Sequence, residues 1–272
     1  MIKILQITDL HLLSPGGLLE DVVDPEARLR ECLAEIETLH GDATALVVTG
    51  DLTDTGDPAA YELLKRILAD YKLPSTYLTI GNHDDRTRFA QAFPDSVHTA
   101  TGFAHQSFSL GDHLGILLDT WAFGNHGGSL CADRLAWLAE VLGSDPRPAL
   151  LFMHHAPFKI GMKQLDRIIL ADDDAFFETL RPFRNRIKHL FFGHMHRSVS
   201  GTWRGLAFAV VPGIGLHSML DFRTTLIRTA AIEPYYSVTL LDGENTIVHP
   251  NQLSSSWTVI ESVPGTPPAH AG

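Results

Sequence analysis

An α/β fold is predicted for this 272-residue chain from three features of its first two-thirds. Short apolar runs alternate with segments of helical period, the pattern of βαβ units around a buried sheet. Two helical segments open on an Asp-Pro pair, a carboxylate cap followed by a residue whose missing N–H costs nothing at the first helical position. Polar clusters stand directly after the apolar runs, where the carboxyl edge of an open sheet gathers ligands.

Strands are expected at Ile2–Thr8, Ala45–Thr49, Ser75–Ile80, His113–Thr120, Ala149–Met153 and Ile187–Phe192. After Asp24-Pro25, the residues Leu29, Cys32, Leu33, Ile36 and Leu39 recur on one helical face, and after Asp57-Pro58, Tyr61, Leu64 and Leu68 do the same. Leu135, Leu138 and Leu142 mark a third helix; Phe176, Phe177, Leu180 and Phe183 mark a fourth. Beyond Arg197 the texture changes to short strands with turn signals, at Ser198–Trp203, Leu206–Val211, Ser237–Leu241 and Thr246–His249 around Asp242-Gly243. The stretch Gly213–Pro234 has weak periodicity. Three regions follow: a catalytic domain over 1–197, a β-rich extension over 198–250, and a tail over 251–272 whose Ser255-Ser256 and Pro264-Gly265-Thr266-Pro267-Pro268 favour a flexible arm or one laid on a partner.

Composition narrows the function. With 44% apolar and 19% charged residues the chain can bury a sizeable core. A net charge of −11 disfavours stable binding to nucleic-acid phosphates or anionic lipid. No apolar run approaches membrane-spanning length, and the N-terminus reaches Thr8-Asp9 before a signal-peptide core is complete. Two cysteines, Cys32 and Cys131, make no disulfide framework, so a reducing, cytoplasmic setting is expected. Fifteen histidines are the conspicuous excess.

Five clusters carry the chemistry: Asp9-Leu10-His11, Gly50-Asp51, Gly81-Asn82-His83-Asp84, Met153-His154-His155 and Gly193-His194-Met195-His196. In extended chain, residues two apart point the same way, so Asp9 with His11, and His194 with His196, can each present a chelating pair. Carboxylate, amide and imidazole ligands without thiolate suit Mn, Fe, Co or Zn. The seven side chains Asp9, His11, Asp51, Asn82, His154, His194 and His196 exceed the need of one ion and fit two that share a bridge. Two divalent ions set against two carboxylates and a bridging hydroxide leave the site at about +1, enough to draw in a phosphodiester despite the acidic surface. Hydrolysis is the chemistry expected.

In order and spacing, from Met1 to Arg197, these blocks resemble the calcineurin-like metallophosphoesterases, whose pattern is D-x-H, G-D, G-N-H-D/E, an isolated H, and G-H-x-H. The resemblance implies a four-layer αββα sandwich with the metal site at the carboxyl ends of the strands. It implies Asp9, His11 and His196 on one ion, Asn82, His154 and His194 on the other, and Asp51 as the bridge. Asn82 and His83 are then catalytic, with His83 bonding the substrate or protonating the leaving oxygen. The wording Gly81-Asn82-His83-Asp84-Asp85, Met153-His154-His155 and the compact extension are most similar to the bacterial class III cyclic-nucleotide phosphodiesterase and glycerophosphodiesterase branch. That branch implies a small diester substrate, a homo-oligomer formed through a cap over the active site, and a substrate-facing histidine after Pro212-Gly213, here His217. The chain departs from the branch at Ala156, where Met153-His154-His155-Ala156-Pro157 replaces a Pro-Pro pair.

Plainer readings stand beside these. His155 is either support for a ligand or simple packing. His40, His98, His105, His113, His126, His189, His249 and His270 fit no ligand pattern. Cys131 is expected as a small hydrophobe, and Asp172-Asp173-Asp174 as the start of a helix, since the glycine and terminal glutamate of a calcium loop are missing. The rival functions are a phosphomonoesterase or nuclease on the same fold, and a non-catalytic interaction scaffold.

Overall fold

The computed structural model describes residues 1–254 together with 257 and 258, so most of the 251–272 tail lies outside the described residues. In chain order the elements are β1 (Ile2–Ile7), α1 (Pro25–His40), β2 (Ala45–Thr49), α2 (Pro58–Ala69), β3 (Ser75–Thr79), α3 (Arg86–Ala92), β4 (Gln106–Leu110), β5 (His113–Leu118) and α4 (Ala132–Ser144). They continue with β6 (Ala149–Met153), α5 (Asp173–Leu180), β7 (Ile187–Phe192), β8 (Val199–Trp203), β9 (Leu206–Val210), β10 (His217–Ser218), β11 (Thr229–Ala230), β12 (Tyr235–Asp242) and β13 (Asn245–Gln252).

Two sheets face each other, one ordered β13-β12-β1-β2-β3 and the other β4-β5-β6-β7-β9-β8. Between them lies an apolar layer of Ile4, Val47, Phe108, Leu150, Phe152 and Phe191. Helices α1 and α2 cover the outer face of the first sheet, and α4 and α5 that of the second. Strands buried on both faces read as continuous apolar runs, which is why Ala45–Thr49 and Ala149–Met153 carry no alternation. The result is the four-layer αββα sandwich.

The helix starts follow the capping chemistry. Asp24 Oδ1 accepts from the Ala27 amide at 2.9 Å and Asp57 Oδ1 from the Ala59 amide at 3.1 Å. Leu29, Cys32, Leu33 and Ile36 are buried as their spacing predicts, whereas Leu39, in the last turn of α1, is exposed. Phe183 falls beyond α5 in a 3₁₀ turn and only partly joins the core. Strand β4 and helix α3 have no counterpart in the sequence expectations. Gln106–Leu110 is short and only partly alternating, and its signal was the Gly111-Asp112 turn, with Gly111 at φ 62°, that pairs it antiparallel to β5.

The stretch 198–250 does not stand apart from the catalytic region. Its strands β8 and β9 extend the second sheet beside β7, and β12 and β13 extend the first, with β12 antiparallel to β1. Only the short β10–β11 pair and its connection, over 217–233, stand free of both sheets, beside the site. No helix among the described residues is long and apolar enough to cross a membrane.

Candidate metal centre

Parallel strands end on one edge, so the loops after β1, β2, β3, β6 and β7 meet there. Backbone bonds lace them together: Asp9 N donates to Gly50 O at 3.1 Å, His11 N to Asp51 O at 2.9 Å, and Gly193 N to His154 O at 3.1 Å. Five of the seven expected ligands have left-handed backbones, at φ of 52° (Asp9), 47° (His11), 47° (Asp51), 67° (His194) and 48° (His196). Such conformations cost non-glycine residues about 1–3 kcal/mol each and persist where the surroundings over-determine them, which is typical of ligand clamps. The glycines in the motifs are there for room. A Cβ on Gly81 would lie 2.3 Å from Asp51 Oδ1 and 2.7 Å from His154 Nε2, and one on Gly193 would lie 2.0 Å from Thr8 Oγ1.

Asp9, His11, Asp51 and His196 form one group of ligand atoms, and His154, His194 and Asn82 close up on the other side of Asp51. His196 Nε2 is 3.4 Å from Asp9 Oδ1 and 3.2 Å from His11 Nε2. His154 Nε2 is 3.2 Å from Asp51 Oδ2, from Asn82 Oδ1 and from His194 Nδ1. The opposite ring nitrogens are committed: His154 Nδ1 donates to Thr49 O at 2.8 Å, His196 Nδ1 to Leu216 O at 2.7 Å, His194 Nε2 to Ile168 O at 2.9 Å, and His11 Nδ1 to Asp54 Oδ1 at 2.9 Å. These partners fix the tautomers, so the neutral rings aim lone pairs at one another and at carboxylates.

The electrostatics report the same hunger for cations. Burial would lower His154, but the Asp51 carboxylate reverses this and pushes it up to about 9. Burial lowers His11 too, and Asp54, Asp51 and Asp9 together raise it above its ordinary value. Against its own burial, Asp51 is held well below the carboxylate range by His154, His11 and His83. His194, buried among His155 and His154, is pushed well below the imidazole value. A proton on His154 can serve only one of its three facing acceptors, whereas a metal ion serves several at once and displaces the proton. The donor set therefore fits divalent ions bound through nitrogen and oxygen.

Around this centre lies a cavity of about 490 Å³, lined by His11, Asp51, Asn82, His83, His194 and His196 on one side and by leucines and isoleucines on the other. His83 sits at its edge, with its amide donating to Asp51 Oδ1 at 2.9 Å and Nδ1 to Asp54 O at 2.8 Å. His155 is fully buried with both nitrogens occupied, by Thr120 Oγ1 at 2.8 Å and His126 O at 3.2 Å. Its ring packs 4.6 Å from that of His194, so it props a neighbour and offers no free lone pair. Asp9 and His154, fully buried, are absent from the cavity lining, and so is His217. Its ring turns onto Tyr235 at 5.4 Å, because the chain after Pro212-Gly213 runs into β10 with Leu216 and Ser218 facing the cavity instead.

Four residues escaped the sequence reading. Asp54 orients His11 and underlies His83. His126 lines the cavity and lies 3.3 Å from the Asn82 amide. Asp84 accepts from Leu52 N, Thr53 N, Gly81 N and Tyr61 OH at 2.9–3.1 Å, pinning the loops after β2 and β3 together. Asp119, fully buried, takes both Arg86 and Arg134 and so fixes the loop that bears His126. Each is single in its stretch of sequence, and only the spacing of Asp84 within its motif offered a signal.

The sequence model of the calcineurin-like phosphoesterase family matches residues 2–198. A probable cyclic nucleotide phosphodiesterase of Rhodopseudomonas palustris is 36% identical over 252 residues, 91% of each chain. A cAMP/cGMP dual specificity phosphodiesterase of Mycobacterium tuberculosis is 30% identical over 211 residues, 76% of this chain and 65% of that one. Among solved structures, a dimetal phosphatase from Danio rerio shares the fold at a TM-score of 0.69 and 14% identity, covering 92% of this chain and 96% of that one.

Proposed function

The chain belongs to the calcineurin-like phosphoesterase family, and we propose that it is a metal-dependent hydrolase of small phosphodiesters, with cyclic nucleotides or glycerophosphodiesters as substrates. One observation carries this reading: imidazole lone pairs, two carboxylates and an amide oxygen converge on a common centre while the outer ring nitrogens are already bonded. Asp9, His11 and His196 would hold one divalent ion, Asn82, His154 and His194 a second, and Asp51 stands between the two sets. When bound, a pair of Mn, Fe, Co or Zn ions supplies positive charge for the phosphoryl oxygens and lowers the pKa of the attacking water.

The chain's own groups do the rest. Asp51 Oδ1 is taken by the His83 amide, which turns Oδ2 to the centre. Because His83 Nδ1 donates to a carbonyl, Nε2 is the nitrogen left for substrate; protonated, it donates to the leaving oxygen. Asn82 and His126 border the same space. Among the described residues no lysine or arginine lines the cavity, so in this reading the attraction for a phosphodiester anion comes from the ion site itself.

The test is steady-state kinetics on chelator-stripped protein reloaded with Mn or Co, across cyclic nucleotides, glycerophosphocholine, aryl diesters and the matching monoesters. Metal-dependent turnover with diesters preferred supports the reading. A large preference for monoesters would overturn it.

The enzyme is a homo-oligomer in this reading, and the surface over 217–233 supports it. Met219, Leu220, Phe222, Leu226, Ile227 and Ile232 are exposed there, an apolar set unusual for a monomer. The outer strand β13 contains Pro250, which blunts edge pairing, so the contact is placed on the 217–233 face. Light scattering giving the monomer mass would sink this. Both cysteines are free, in keeping with the reducing cytoplasm in which we place the enzyme.

A further inference from the structure

Besides the candidate ligands, the cavity is walled by Leu13, Leu18, Leu19, Leu165, Ile168 and Ile227. Glu20, Gln164, Ser218 and Thr229 add polar side chains to that lining, and of these Gln164 has a buried polar atom left without a partner. Gln164 lines the cavity, is only 6% exposed, and its Oε1 has no hydrogen-bond partner among the described residues. A buried amide oxygen without a partner forfeits the bond it had in water, so such groups call for an explanation in the molecule's function.

Its backbone is held firmly. Leu165 N and Asp166 N both donate to Met162 O at 2.9 Å, Ile160 N donates to Asp166 Oδ1 at 2.8 Å, and Met162 and Leu165 are buried anchors on either side. The same turn supplies Ile168 O, which orients His194. Gln164 is thus held by the segment that also orients His194, and it lines the same cavity as the candidate ligands.

We propose that Gln164 is a specificity-determining residue, whose amide bonds the polar edge of a nucleobase lodged between the leucine and isoleucine side chains. This rests on the phosphodiesterase reading above. A nucleobase is the diester substituent that matches both features: flat faces that lose little by leaving water, and an edge bearing N–H donors for Oε1 and acceptors for Nε2. Because an amide can be turned over, it meets the edge of adenine or guanine, so it selects for the presence of a base and not for one base. A glyceryl group offers hydroxyls and no apolar face to fill the wall. The bond forms as the substrate binds and persists through reaction, so it acts on KM and not on kcat.

The experiment compares wild type with Gln164→Leu, which keeps the side-chain bulk, and Gln164→Ala. The substrates are cAMP, cGMP and the same ribose cyclic phosphate carrying hydrogen in place of the base. For both cyclic nucleotides kcat/KM should fall by about tenfold or more through KM, since a buried partner is lost. The base-free diester should be hydrolysed equally by all three proteins, which also controls for folding and metal content. An equal loss on the base-free diester, or no loss on the cyclic nucleotides, overturns the proposal. If wild type hydrolyses the base-free diester as well as it does cAMP, base recognition fails while the phosphodiesterase reading stands. If wild type hydrolyses no diester at all, both fail.

Discussion

The Nε2 atoms of His11 and His196 face each other at 3.2 Å, while the Nδ1 of each ring is already bonded, to Asp54 and to the Leu216 carbonyl. Two neutral imidazoles so placed repel unless a cation joins them. Stripping the protein with a chelator should therefore abolish turnover and lower the melting temperature, and Mn or Co should restore both. Asp51→Ala should lose two-ion occupancy, read by elemental analysis, together with activity. Full activity in metal-free Asp51→Ala protein would refute the assignment.

Gly81→Ala tests how tightly the centre is built. The added methyl would meet Asp51 and His154, both ligands, before anything else. The expected outcome is a folded protein by circular dichroism with metal affinity reduced at least tenfold. Undiminished metal content would show that the loop has more freedom than these distances imply.

His83→Ala removes a side chain that touches the cavity but lies outside both ligand sets. Metal content should stay at the wild-type level while kcat falls by about 10²–10⁴, the range for a general acid. A drop in metal content equal to the drop in rate would move His83 among the ligands.

Acid stability should depend on His189, within the second sheet. Burial lowers its pKa to about 4, and its Nε2 is without a partner among the described residues. The folded protein keeps this ring neutral, while the unfolded chain takes up a proton below about pH 6.5. Stability is thus lost as pH falls from about 6.5 to about 4, by at most about 3 kcal/mol from this residue. Denaturant midpoints of metal-free wild type and His189→Leu between pH 4 and 7 check the sign, the variant having the shallower slope. Identical slopes would remove His189 as the cause.

The expected ligand set was readable because its members follow strands, with Asp51, Asn82 and His194 directly after a glycine. The extended-chain alternation expected for Asp9 with His11 and for His194 with His196 is not what the structure has, since all four backbones are left-handed. The groups that orient those ligands were hidden for a physical reason: Thr49, Ile168 and Leu216 contribute carbonyl oxygens, which every residue has. Asp54 and His126 are lone side chains that tertiary folding carries to the cavity. For His217, a Pro-Gly followed by a histidine says nothing about which way a two-residue strand turns its side chains. Likewise, turn signals marked β12 as a strand but could not reveal its neighbour.

That neighbour is β1, and the pairing of Ile2 with Leu241 through Gln6 with Ser237 joins the beginning of the chain to a segment near its end. On the ribosome, β1 has to wait for Tyr235–Asp242 to emerge before its second edge is closed, and Asp9 and His11 follow that strand. Ion capture at the candidate centre is therefore expected to follow the emergence of Tyr235–Asp242. A polypeptide stopped at Arg197, although it contains every ligand, should fail to retain ions on gel filtration; tight retention would show the late strand to be dispensable.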